Sequence, residues 1–132
     1  MFLYNEVQKR EANQERVRVG LIGAGKFGSM FLSQVPFTIG LEVISIVDIC
    51  VDNAKKNCRD VGWTEEQIES VLFIDNLKKM ISQTKIDVLV EATGDPVEGT
   101  KHALIAIEEG LHIVMVNVCL LYTSDAADDR DS

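Results

Sequence analysis

An α/β fold built on a doubly wound parallel sheet of about five strands, incomplete as it stands, is the expectation for this chain. Three features carry it. From residue 17 onward short Val/Ile/Leu-rich runs alternate with amphipathic stretches, the runs are nearly continuously apolar, and a glycine-rich turn joins the first run to the first amphipathic stretch. Alternation of strand and helix periods marks parallel strands joined by crossover helices. Near-continuous apolar character is what a strand needs when helices cover both of its faces.

From the N-terminus, the expected strands are Val17 to Ile22, Leu41 to Val47, Val71 to Ile74, Ile86 to Ala92 and His112 to Val116. Between them apolar residues recur three and four apart, which gives each helix one face to bury. The expected stripes are Phe27, Met30, Phe31 and Val35; Val51, Ala54, Cys58 and Val61; Leu77, Met80 and Ile81; and Thr100, Leu104, Ile107 and Leu111. Asp95, Pro96 and Glu98 supply an N-cap, a proline at the first helical position and a capping-box partner for the last helix, and Gly110 stands where its C-cap belongs. A Thr64 to Gln67 box announces a short extra helix before the third strand, and Gly40 can close the first helix. Residues 1–16 are expected to form an extension with a surface helix over 3–14, anchored by Leu3 and Val7, and residues 17–118 the domain itself.

At 132 residues and 46% hydrophobic content the chain is sized for one domain with one real core. The formal net charge is −8 and the basic residues are scattered, so nothing points to nucleic acid or to an anionic membrane as a partner. Cys50, Cys58 and Cys119 are an odd set without metal-site spacing, which reads as free thiols in a reducing compartment. With no apolar leader and no run of about 18 apolar residues, the expectation is a soluble cytoplasmic protein.

The chemical signal lies in VRVGLIGAGKFGSM, where Gly23, Gly25 and Gly28 form G-x-G-x-x-G directly after the first strand and open the first helix. The first glycine reverses the chain, the second lets a pyrophosphate approach the backbone, and the third lets helix pack on strand. The helix N-terminus then offers N–H groups and the positive end of its dipole to phosphates. Such turns also occur as plain connections. Asp48, ending the second strand 20 residues beyond Gly28, shifts the balance, because a carboxylate there meets the hydroxyls of an adenosine ribose. Together they predict a Rossmann-type dinucleotide site. A carboxylate repels a 2′-phosphate, so NAD is favoured over NADP, which stays open because Lys55, Lys56 or Arg59 could reach a phosphate. Thr93 and Gly94, beyond the fourth strand, should border the cofactor, unless Thr93-Gly94-Asp95 merely makes the turn and caps the next helix.

Other residues receive structural readings. Glu91 is expected as a partly buried, paired carboxylate without a catalytic role, His102 and His112 as structural or exposed, and Trp63 as packing near the short helix. Cys58 falls on an apolar stripe, and nothing beside Cys50 argues for an activated thiolate.

VRVGLIGAGKFGSMFL, then VDI, then DVLVEATGDPVEGTKHALIAIEEGLHIVMVNV, together resemble the N-terminal domain of the homoserine-dehydrogenase-like oxidoreductases. The nearest branch is one with a later SAF domain that includes a deoxyxylulose-phosphate reductoisomerase-like enzyme. The resemblance covers about residues 1–118, and Val88 to Asn117 is its more specific part. It implies cofactor binding by Gly23, Ala24, Gly25, Lys26, Phe27 and Gly28 at the pyrophosphate, Asp48 at the adenosine ribose, and Thr93 with Gly94 beside the nicotinamide half. It also implies hydride transfer on a small carbonyl or alcohol substrate held by a C-terminal domain absent here, with a homo-oligomer one option for the intact protein. The sequence departs after Asn117: Val118 stands where homoserine dehydrogenases often have lysine, and Cys119 to Asp128 resembles a translated sequencing adapter, so residues 119–132 are expected to be a non-native tail. No catalytic residue and no metal ligand can be named, and the fragment alone is expected to be inactive. Two rivals remain. One is a non-enzymatic nucleotide-sensing or regulatory module. The other is a methyltransferase using S-adenosylmethionine, which Phe27 disfavours by standing where a third glycine is usual.

Overall fold

The structure, a computed structural model, describes residues 16–116. The expected N-terminal helix, Asn117 and the expected foreign tail lie outside the described residues. Within them the chain runs β1 (Val17–Ile22), α1 (Lys26–Gln34), β2 (Leu41–Val47), α2 (Val51–Asp60), α3 (Glu65–Glu69), β3 (Leu72–Ile74), α4 (Leu77–Gln83), β4 (Val88–Glu91), α5 (Pro96–Glu108) and β5 (His112–Met115). One 3₁₀ turn, Val35–Phe37, follows α1. Every strand pairing is parallel, in the order β3-β2-β1-β4-β5.

That order sends the first crossovers to one face and the later ones to the other. Val19 and Leu21 of β1 pack with Leu32, Ala54, Cys58 and Trp63 from α1, α2 and the segment before α3. Ile22 and Leu89 pack with Leu77, Met80 and Ala106 from α4 and α5 on the opposite face. Two helix layers around one sheet explain why the strands are mostly apolar. Buried polar groups are paired: Ser45 donates its hydroxyl to the Leu72 carbonyl at 2.8 Å, and the Trp63 indole N–H donates to the Leu32 carbonyl at 2.9 Å.

Local signals behave as the sequence indicates at several helix ends. The Thr64–Gln67 capping box forms in both directions at α3. Asp95 accepts from the N–H groups of Val97 and Glu98 at the start of α5, and Gly110 follows its end with its N–H on the Ile107 carbonyl. Glu98 departs from expectation. Its carboxylate takes the Lys101 ammonium at 3.2 Å instead of closing a box with Asp95. Gly40 closes the turn after the 3₁₀ segment, directly before β2, instead of α1 itself.

Three further expectations need correction. In α1 Leu32 is buried where Met30 was expected, and Met30 is exposed. In α5 the inward face consists of Gly99 and Ala106 with half-buried His102, Ala103 and Ile105, whereas Leu104 and Ile107 are 58% and 70% exposed. Small residues face the sheet because the helix sits close to it: a Cβ on Gly99 would lie 3.0 Å from the Met115 side chain and 3.5 Å from Glu91. Finally, β5 is an edge strand whose His112, Val114 and Met115 are exposed, so its apolar run does not mark burial on both faces. The other runs overshoot their ladders at Val71, Ile86 and Ala92, which are buried without being part of a strand. Among the described residues no helix is long and apolar enough to cross a membrane.

Candidate functional site

The strand order reverses between β1 and β4, and ligands of open α/β sheets bind beyond the carboxyl ends of strands at such a point. A crevice of about 610 Å³ lies there, running from Gly25 and Lys26 past Asp48 and Asn76 to Thr93 and His102. A second recess, of about 320 Å³, lies at the other end of the sheet against Phe37, Leu41 and Trp63, and contains none of the expected site residues.

The glycine turn is fixed from three sides. Gly23 adopts φ +92° and donates its N–H to the Val47 carbonyl at 2.8 Å, which ties the turn to the end of β2. A Cβ there would lie 3.0 Å from the Thr93 backbone, so the turn after β1 and the turn after β4 touch. Ala24, fully buried, donates its N–H to Asp48 Oδ2 at 2.9 Å and accepts from Asn57 Nδ2 at 2.7 Å. Gly28 sits so close beneath the turn that a Cβ would collide with the Gly23 carbonyl.

Gly25 is different. It is the N-cap of α1, and a Cβ placed on it would meet nothing within 4 Å, only the crevice. No side chain caps this helix and no acidic residue lies in its first turn, whereas α3, α4 and α5 are capped by Thr64, Asn76 and Asp95. The first N–H groups of a helix have no intrahelical acceptor, so α1 presents donors and a positive dipole end to the crevice where a bound anion would rest. The site therefore fits a diphosphate on both counts, by space and by donors.

Asp48 follows β2 and its carboxylate bridges two backbone donors, the Ala24 N–H to Oδ2 and the Cys50 N–H to Oδ1, each at 2.9 Å. Each oxygen keeps a lone pair for a hydroxyl in the crevice. Lys55, Lys56 and Arg59 are engaged elsewhere: Lys55 lies over the Phe73 ring, Lys56 pairs with Asp60, and Arg59 pairs with Glu65. The hydrogen bond from Arg59 holds the Glu65 carboxyl below its usual range.

At the end of β4 the Glu91 side chain turns inward and is 2% exposed. Its carboxylate accepts from the Thr93 hydroxyl at 2.9 and 3.1 Å and from the Thr93 N–H at 3.3 Å, and lies 2.7 Å from His102 Nδ1. The Thr93 hydroxyl oxygen accepts from the Asp95 N–H at 3.2 Å, and Gly94, at φ +76°, completes the turn.

Of the residues expected from the sequence, Gly23, Gly25, Lys26, Asp48 and Thr93 line the crevice together. Ala24 and Gly28 are buried behind it, Phe27 packs half-buried against the core, and Gly94 shapes the turn beside Thr93. Sequence reasoning missed Asn57, whose only mark was a polar side chain beside an apolar stripe, and the pairing of Glu91 with His102. Cys58 is inert by its surroundings, because burial pushes its thiol up to about 11 against a small opposing effect of Arg59.

The family model described as homoserine dehydrogenase, NAD-binding domain, matches residues 19–130. No curated protein sequence matches the chain. Among solved structures, a dehydrogenase from Chromobacterium violaceum matches with a TM-score of 0.62 and 21% identity over 75% of this chain and 27% of its own. The myo-inositol dehydrogenase from Lactobacillus casei in complex with NAD(H) and myo-inositol gives 0.59 and 22%, over 76% and 28%. A Rex-family repressor gives 0.54 and 19%, over 98% of this chain and 66% of its own. At these identities the likenesses show the fold, and the chain spans little more than a quarter of either dehydrogenase.

Proposed function

The chain belongs to the homoserine dehydrogenase NAD-binding domain family, and on that basis we propose that its crevice holds the dinucleotide of an NAD-dependent oxidoreductase. The observation that carries the assignment is Gly25, which opens an uncapped helix N-terminus onto the crevice. The pyrophosphate rests against the N–H groups of Lys26, Phe27 and Gly28, with Gly23 and Ala24 shaping the turn beneath it. Asp48 accepts from the adenosine ribose hydroxyls, and Thr93 with Gly94 borders the nicotinamide ribose. NAD is preferred to NADP because the Asp48 carboxylate repels a 2′-phosphate and Lys55, Lys56 and Arg59 are engaged with Phe73, Asp60 and Glu65.

When bound, the nicotinamide supplies hydride chemistry, and the residues of this domain orient it. In the intact protein the partner is a small carbonyl or alcohol substrate, held by segments beyond this domain that also exclude water. The setting is the cytoplasm, in keeping with the free thiols of Cys50 and Cys58. Titration with NADH, NADPH and S-adenosylmethionine, followed calorimetrically, tests the reading. NADH should bind most tightly and S-adenosylmethionine not at all; preferential binding of the latter overturns it.

The repressor likeness, which spans 98% of this chain, supports a second reading as a nucleotide-responsive regulatory module. Turnover of a carbonyl or alcohol substrate by the protein encoded by the complete reading frame separates the two.

A further inference from the structure

The Glu91–His102 pair stands at the β4 end of the crevice and has no part in the turn that receives phosphates. Glu91 is almost fully buried, and donors meet both of its oxygens. The Thr93 hydroxyl already accepts from the Asp95 N–H, so its own proton is directed at Glu91, as is the Thr93 N–H. Surrounded in this way Glu91 is an acceptor, and the 2.7 Å contact to His102 Nδ1 is completed by an Nδ1–H donor. That assignment of the tautomer follows from the network. With Nδ1 protonated, the neutral form of the ring carries its lone pair on Nε2. His102 lines the crevice with its side chain 15% exposed, and Nε2 lies 4.0 Å from Glu98 Oε1, beyond hydrogen-bond reach.

We infer that His102 is a binding residue for the nicotinamide riboside half of the dinucleotide, its Nε2 accepting a hydrogen bond from the carboxamide or a ribose hydroxyl, with Glu91 as the positioning residue that sets the tautomer. The inference rests on the dinucleotide reading above. With the adenosine ribose at Asp48 and the pyrophosphate at Gly25, the other half extends across β1 toward β4, where Thr93 and His102 form the wall. A carboxylate–imidazole pair that leaves one lone pair facing a ligand selects donors and fixes their direction.

The test compares NADH with ADP, which carries the adenosine ribose and the diphosphate but lacks the nicotinamide riboside, on the full chain. His102→Ala should weaken NADH about tenfold, the worth of one hydrogen bond, and leave ADP within about twofold. Glu91→Gln, nearly isosteric, offers an amide donor to Nδ1 and turns Nε2 into a donor, so it should also weaken NADH selectively; it serves as the second variant if His102→Ala melts early. Equal losses for both ligands, or no loss for either, overturn the inference while leaving the dinucleotide site intact. Failure of the unsubstituted chain to bind either ligand overturns both.

Discussion

The Asp48 carboxylate accepts the Ala24 N–H at 2.9 Å, so the residue that follows β2 holds the turn that follows β1. A side chain expected to meet ribose therefore also shapes the surface on which phosphates rest, and its two duties separate experimentally. Asp48→Ala leaves the Ala24 N–H at a buried residue without its acceptor, at a cost of about 1–3 kcal/mol. Asp48→Asn keeps one carbonyl acceptor and removes the charge. Denaturant unfolding should show the larger loss for Asp48→Ala, while NADH and NADPH titrations should show both variants narrowing the preference for NADH. A preference unchanged in Asp48→Asn refutes the role of its charge.

Trp63 donates its indole N–H to the Leu32 carbonyl in the core between α1 and α3, away from the crevice. Trp63→Phe keeps most of the apolar volume and drops the hydrogen bond. Unfolding should become easier by about 1–3 kcal/mol, with NADH affinity unchanged. Loss of affinity without loss of stability would contradict this separation of core and site.

Cys50 is the N-cap of α2 and Cys58 lies on the buried stripe of the same helix, and the two should behave oppositely toward thiol reagents. Cys50 is exposed, and Cys58 is buried with its thiol pushed up to about 11. Iodoacetamide at neutral pH, read by peptide mapping, should label Cys50 in the native protein and Cys58 only after unfolding. The shift also sets a pH dependence. A thiol whose folded value lies above its unfolded value of 9.0 keeps its proton more firmly in the native state, so its contribution is fully present below pH 9 and is lost as pH rises toward about 11. Stability should fall across that window, and Cys58→Ala should flatten the fall.

Much of this was legible because glycine and carboxylate positions follow from chain geometry alone. Gly23 must reverse the chain, Gly28 must admit a helix, and Asp48 comes at the end of a strand whose length the apolar run declares. Helix faces were less legible. Periodicity favours the largest apolar side chains, so it selected Leu104 and Ile107, whereas close approach to the sheet requires Gly99 and Ala106. Glu91 was expected to be buried and paired, but its partner His102 was invisible for another reason: the pair joins a strand to a helix across a turn, and no local spacing encodes a contact made by tertiary packing. Strand β5 read as buried because edge position depends on sheet order, which hydropathy does not report.

Gly25 and Gly28 give the sharpest contrast, since they lie in one motif and are glycines for different physical reasons. A Cβ at Gly28 collides with the Gly23 carbonyl, a backbone atom that cannot yield without moving β1 or α1. Gly28→Ala should therefore destabilise the fold by about 1–3 kcal/mol or more, in the manner of overpacking, and lower the melting temperature by several degrees. A Cβ at Gly25 meets nothing within 4 Å. Gly25→Val should melt within a few degrees of the unsubstituted chain, yet its branched side chain would occupy the space above the α1 N-terminus where a diphosphate rests. It should lose NADH and ADP-ribose together, by at least about tenfold, because both carry that diphosphate. Retention of both affinities in a folded Gly25→Val protein would mean that the nucleotide lies elsewhere.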